Sequence, residues 1–148
     1  MVPLPESKLE NLIPLLHERH EELKEKRKLL HRDLFHHVLK ECYAMRTIDC
    51  YVNDTEKPTH LLALMRVGEY WDEPPSLVVQ AIYISKEARG DKKALETMVE
   101  VVHEYARFHR LSRIVAGTPC NDAGNPLSKI WDNAGFYKAH IMYSKDLP

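Results

Sequence analysis

The chain has 148 residues, and its 21 Lys plus Arg nearly cancel 22 Asp plus Glu, leaving a formal net charge of −1. That length suits one domain able to bury most of its apolar surface, and the cancelled charge gives no field arguing for nucleic acid or an anionic membrane surface. No apolar run approaches a bilayer span, the amino terminus MVPLPESK lacks the charged and apolar regions of a signal peptide, and Cys42, Cys50 and Cys120 form no CxxC pair. The expectation is a single cytoplasmic domain over residues 1–148, with reduced thiols and no membrane partner.

A short opening strand is expected near residues 2–4. Ser7 and Glu10 have the spacing of a capping box, and Leu9, Leu12, Ile13 and Leu16 follow at helical intervals, so a helix is expected over residues 8–25. Pro14 must either kink that helix or open a fresh first turn. Glu18, Glu21, Glu22, Lys24, Glu25, Arg27 and Lys28 make its later part polar and solvated. Asp33 is expected to cap a second helix in which Leu34, Phe35, Val38, Leu39 and Cys42 share a face. Each helix has one apolar stripe and needs a surface to cover it, which a sheet would provide. His17, His20, His31, His36 and His37 crowd this quarter of the chain, but His17 and His20 are three apart where HExxH needs four, so solvated helix faces are expected and no metal site.

Residues 47–52 and 60–67 read as two strands joined by the turn-rich NDTEKP, a hairpin with a long loop. Residues 68–75 form a second polar connection, and residues 77–84 are apolar almost throughout, as in a central strand covered on both faces. From 92 to about 109, Leu95, Met98, Val99, Val102, Tyr105 and Ala106 keep a helical period. Residues 113–117 form a short strand. Pro126 opens a further helix carrying Leu127, Ile130, Trp131 and Ala134, Gly135 stops it, and residues 136–143 form the closing strand. The fold class is α/β (α+β), a mixed, mostly antiparallel central sheet flanked by helices.

The segment AIYISKEARGDKKAL, residues 81–95, is a strand that breaks into Arg89-Gly90 and starts a helix. Such a turn aims free backbone N–H groups and the positive end of a helix dipole at one spot, which suits a phosphate or pyrophosphate. The plainer reading is a strand-to-helix turn with a solvated basic face. Cys120, in the polar loop TPCNDAGN with His103 and His109 elsewhere, raises a cysteine nucleophile, but no hydrolase signature surrounds it.

The run Arg89-Gly90-Asp91-Lys92-Lys93-Ala94 resembles motif A of the GNAT superfamily of acetyl-CoA-dependent N-acetyltransferases, [QR]xxGx[GA], with Lys92 in place of the middle glycine. Downstream, NDAGNPLSKIWDNAGF followed by YKAHIMYSKDL is similar to the family's closing helix, Gly-Phe signature and last strand. The resemblance covers about the second half of the chain. It implies acetyl-CoA as co-substrate, with the backbone of Ile82, Tyr83 and Ile84 pairing to the pantetheine arm. The amides of Arg89, Gly90, Asp91, Lys92, Lys93 and Ala94 would hold the pyrophosphate, and Asn121 or Asn125 would contact the cofactor. Asn125 is also a natural N-cap before Pro126. Trp131 stands where the family often has a proton-donating tyrosine; an indole N–H can hydrogen-bond sulfur but cannot act as the acid, and core packing with Leu127 and Ile130 is the plainer role.

Acetylation needs an unprotonated amine, and the resemblance points to a carboxylate on or before the central strand. Glu73 is the expected base, among Glu69, Asp72, Gln80 and Tyr83, and Tyr143 is an alternative proton donor. The implied activity is transfer of an acetyl group, by direct attack, to an amine on a small molecule or a protein. The competing reading is a GNAT-like CoA-binding or structural module without turnover, of the kind encoded by phages. Lys92, Trp131 and the reduced opening strand favour it, whereas Arg89, Ala94 and Gly135-Phe136 favour the enzyme. No nucleic-acid partner is expected, and a homodimer is left open.

Overall fold

A computed structural model describes residues 1–24, 32–68, 75–117 and 126–138 of the chain. Among them five strands, Val2–Pro3 (β1), Ile48–Val52 (β2), His60–Val67 (β3), Ser76–Ile84 (β4) and Arg113–Ala116 (β5), form one sheet in that spatial order. They belong to Met1–Gly117, the larger of two units into which the chain divides, the other being Thr118–Pro148. Pairing is antiparallel from β1 to β4 and parallel between β4 and β5. The parallel step needs a crossover, and helix Lys92–Phe108 (α3) provides it.

One face of the sheet carries Ile48, Cys50, Val52, Leu61, Ala63 and Ala81 and packs with the N-terminal helices; the other carries Leu62, Leu64, Leu77 and Ile84 and packs with Met98, Val102, Tyr105 and Ala106 of α3. β4 is therefore covered on both faces, as its continuous apolar run requires. Leu9, Leu12, Leu62, Leu64, Leu77 and Met98 are almost wholly buried, each stabilising the fold by about 1.5–3 kcal/mol relative to exposure.

The start of the chain departs from expectation. The capping box does not form: Glu6–Leu12 is a 3₁₀ helix that begins after Pro5 with no side-chain cap, and the α-helix starts only at Ile13–Lys24 (α1), with Pro14 in its first turn. A three-residue turn keeps i and i+3 on one side, so Leu9, Leu12 and Leu15 are buried with Leu16 while Ile13 is only half-buried. Asn11 Nδ2 donates to the Thr55 carbonyl at 2.9 Å, and Lys8 pairs with Glu56, tying this segment to the β2–β3 loop. Asp33 is not a cap either, because it lies inside Arg32–Ala44 (α2).

The opening strand is real and two residues long. The Tyr43 hydroxyl extends its work, donating to the Leu4 carbonyl and accepting from the Cys50 amide, both at 2.9 Å. Burial raises the Tyr43 phenol well above its usual range and pushes the Cys50 thiol up to about 12, so Cys50 is a packed thiol and no nucleophile.

Three helices end alike. In α2 the amides of Arg46 and Thr47 reach back to the carbonyls of Tyr43 and Cys42, and in α3 those of Arg110 and Leu111 reach those of Arg107 and Ala106. In Pro126–Asn133 (α4) the amides of Gly135 and Phe136 reach Asp132 and Trp131. This is the Schellman closure, which needs positive φ at the residue just after the C-cap: 56° at Arg46, 54° at Arg110 and 85° at Gly135. Residues 136–138, expected to open the closing strand, are in no strand, and the rest of that expected strand lies outside the described residues.

Candidate functional site

The site is built where β4 changes character. Its register against β3 runs Leu64↔Val79 and then Ala63↔Ala81, so Gln80 is an extra residue, a β-bulge. A bulge bends its strand and raises the local twist. It also changes parity: Leu77 and Val79 lie on the α3 side before it, Ile82 and Ile84 after it, while Ala81 and Tyr83 turn toward the N-terminal helices.

β5 pairs only with the first four residues of β4, its last partner being Val79↔Ala116. Beyond the bulge, among the described residues, β4 is paired on one side only. Ser85 donates its amide to the Thr59 carbonyl at 2.8 Å, and strict alternation then points the backbone groups of Ile84 and Ile82 away from β3. The Ile84 carbonyl accepts from Arg89 Nε at 3.1 Å on that outer edge. An extended partner with amide groups can pair there as a strand would.

The strand ends in a short 3₁₀ turn, Lys86–Ala88, after which Gly90 takes φ +115°, a conformation that side chains disfavour. Asp91 caps α3, its carboxylate accepting from the Lys93 amide at 2.9 Å, and Lys92 and Lys93 are exposed. The turn thus offers a helix N-terminus flanked by Arg89, Lys92 and Lys93, with one amide already held by a carboxylate. A Cβ at Gly90 would meet nothing within 4 Å, so the turn is open as well as basic.

The region read as a solvated polar helix face proves to be part of this site. Glu18 and Glu22, one helical turn apart on α1, meet the β4–α3 turn: Tyr83 OH donates to Glu22 Oε2 at 2.8 Å and to Glu18 Oε1 at 3.2 Å. The Lys86 amide donates to Glu18 Oε1 at 2.7 Å, and Arg89 Nη2 to Glu22 Oε2 at 2.6 Å. The Arg89 guanidinium also lies 5.5 Å from the Tyr83 ring centre. The Arg89 bond holds the Glu22 carboxyl below its usual range, and burial followed by the two carboxylates raises the Tyr83 phenol. The i, i+4 spacing of Glu18 and Glu22 was the available sequence signal; their convergence on Tyr83 needed the fold.

Ile82, Tyr83, Ile84, Arg89, Gly90, Asp91, Lys92, Lys93 and Ala94 are thus contiguous along one edge and turn. Trp131 lies in the other unit, where it is buried with its ring 4.8 Å from that of Phe136, and its Nε1 has no hydrogen-bond partner among the described residues. This ring pair is the apolar contact that accompanies a Schellman closure, linking the third-last helical position to the second residue beyond the C-cap. Glu69, Asp72, Glu73, Cys120, Asn121, Asn125 and Tyr143 lie outside the described residues. Of the histidines considered with Cys120, His103 Nδ1 bonds the Val99 carbonyl of its own helix at 2.9 Å, and His109 Nδ1 lies 3.4 Å from Arg66 Nη1. Among the described residues no three His, Cys, Asp or Glu side chains converge as metal ligands, and no helix is long and apolar enough to cross a membrane.

No protein-family profile matches the sequence, and no curated protein matches it either. Solved structures do. A GCN5-related N-acetyltransferase from Ralstonia eutropha superposes with a TM-score of 0.75 at 14% identity, covering 97% of this chain and 95% of that one. A protein from Clostridium acetobutylicum described as a predicted acetyltransferase with acetyl-CoA gives 0.73 at 10%, covering 97% and 93%. A ribosomal-protein-alanine N-acetyltransferase from Brucella melitensis gives 0.72 at 15%, covering 99% and 97%. At such identities the likeness is one of architecture, and it spans nearly the whole of each chain: this protein has the GNAT acetyltransferase fold.

Proposed function

We propose that this protein, working as one GNAT-like domain, binds acetyl-CoA and transfers the acetyl group to an amine by direct attack. The observation that carries the reading is the outer edge of β4 beyond the Gln80 bulge, which leads directly into the Gly90 turn and the start of α3. An edge that accepts an amide-bearing arm, followed within a few residues by a basic helix N-terminus, suits a pantetheine joined to a pyrophosphate. A solved structure of this fold is described as holding acetyl-CoA.

In this reading Ile82 and Ile84 offer backbone groups to the arm, and Lys92, Lys93 and the first amides of α3 face the phosphates. The thioester supplies an activated acetyl carbon. The acceptor nitrogen bonds to that carbon as the carbon–sulfur bond breaks, one proton leaves the nitrogen, and one reaches the sulfur. Glu73 and Tyr143 remain our proposed residues for these transfers. Positioning alone supports such a step, because effective molarities of oriented reactants are very large.

The test is a melting experiment. Acetyl-CoA at about a hundred times its dissociation constant should stabilise the fold by roughly 2.7 kcal/mol. No shift at large excess removes the proposal. A second reading, binding without turnover, is favoured by Trp131, which packs on Phe136 and offers no hydroxyl. Thiol release from acetyl-CoA in the presence of amines separates the two, and Trp131→Tyr should accelerate release if the missing acid is what limits it.

A further inference from the structure

Arg89 is expected to serve the cofactor phosphates, yet its guanidinium is bound at 2.6 Å to Glu22. It cannot serve a carboxylate on α1 and a phosphate at the α3 start with the same N–H groups, since its donors lie in one fixed fork. Glu22 in turn holds Arg89 and Tyr83 OH, and Glu18 holds Tyr83 OH and the Lys86 amide. Removing Arg89 from this set leaves two carboxylates, one turn apart on α1, sharing one phenol, with the Lys86 amide on Glu18. They then have unfilled acceptor capacity, and negative charge offset in part by Lys86, beside the outer edge of β4.

We propose that Arg89 is an anion-operated latch: the cofactor pyrophosphate draws it off Glu22, and the uncovered Glu18–Glu22 pair then receives a cationic amine acceptor, with Tyr83 holding both carboxylates in place. This rests on the acetyl-CoA reading above and adds a binding order and a substrate class. The acceptor carries at least one ammonium group beyond the amine that reacts, because a carboxylate pair selects charge and the reacting nitrogen must be neutral. The ion pair is partly exposed, with side-chain accessibilities of 44% for Arg89 and 25% for Glu22, so it is weak enough to be exchanged for phosphate.

The test uses the full chain with CoA, pantetheine and spermidine as probes. Glu22→Gln frees Arg89 and should tighten CoA by about 2- to 5-fold, the range set by a partly exposed ion pair, while leaving pantetheine unchanged. Glu18→Gln, which removes a charge near Arg89 but no hydrogen bond to it, should tighten CoA by less than Glu22→Gln does and leave pantetheine unchanged. In the wild type, saturation with CoA should tighten spermidine by about 5-fold or more, and pantetheine should not; by linkage spermidine must tighten CoA equally. If Glu22→Gln is poorly folded, this spermidine linkage in the wild type stands as the deciding measurement. A merely structural strut predicts a lower melting temperature in Glu22→Gln with CoA affinity unchanged or reduced, and that result overturns the latch. Equal effects of CoA and pantetheine on spermidine, or no spermidine binding to the CoA-saturated protein, also overturn it. Each leaves the acetyl-CoA reading standing, whereas failure of the wild type to bind CoA removes both.

Discussion

Asp91 puts a carboxylate where the proposed cofactor would put a phosphate. It caps α3 by accepting from the Lys93 amide at 2.9 Å, and it is exposed. Asp91→Asn separates its two effects, because asparagine caps a helix about as well as aspartate but carries no charge. The lost charge–dipole term should lower stability by about 0.3–1 kcal/mol, or roughly 1–4 °C in a chain of this size. For the ligand the sign reverses. Unit charges about 4 Å apart in water repel by about 1 kcal/mol, and a pyrophosphate presents at least two, so removing Asp91's charge should relieve about 1–2 kcal/mol and tighten CoA roughly 5- to 30-fold. The assay is calorimetric titration at low and high salt, with pantetheine as control. The gain should shrink at about 1 M salt, where the Debye length falls to about 3 Å, and pantetheine should be indifferent throughout. Unchanged or weaker CoA binding by a folded Asp91→Asn protein would refute the placement of phosphate at this helix start.

Arg110 pays for positive φ without needing its side chain there, so Arg110→Gly should stabilise the protein by about 0.5–1 kcal/mol in urea titration, the gain being part of the left-handed penalty less glycine's larger unfolded entropy. Tyr43→Phe should cost about 1–3 kcal/mol and lower the melting temperature, since the Leu4 carbonyl and Cys50 amide both lose their partner. Glu22 has its folded pKa depressed below 4.5, so its contribution is present above that value and is lost as pH falls through the depressed one. Wild type should therefore exceed Glu22→Gln in stability by about 0.2–1 kcal/mol near neutrality, and the difference should shrink as pH falls below 4.5 and through the depressed value, when unfolding is compared along that series.

What could be read from the sequence followed from periodicity and punctuation. The α3 stripe from Leu95 to Ala106, the β2–β3 hairpin around NDTEKP and the buried β4 run all stand where those patterns put them. The 3₁₀ opening was illegible because Leu9, Leu12 and Leu15 fit both a three-residue and a 3.6-residue period, and the Ser7–Glu10 spacing favoured the wrong one. The bulge left no trace for a similar reason: in a strand apolar on both sides, a change of parity alters no visible alternation. Glu18 and Glu22 carried a legible spacing but an illegible destination, since Tyr83 and Arg89 lie more than sixty residues away along the chain.

The extra residue at Gln80 makes β4 behave as two reading frames spliced into one strand. Were Gln80 taken into the ladder opposite Ala63, composition and length would be untouched, yet every later side chain of the strand would exchange address. Tyr83 would be driven into the packed layer under α3, and Ile82 and Ile84 would face Glu18 and Glu22, greasy groups against charge. The outer-edge backbone groups would move with them, from Ile82 and Ile84 to their neighbours. A side chain of nearly any kind is tolerable at this exposed position, because Gln80 stands outside the pairing that sets the later addresses. Substitution at Gln80 should accordingly be mild where a slip that pairs it would be ruinous, and any comparison of this strand with a distant relative is meaningful only after the splice has been aligned.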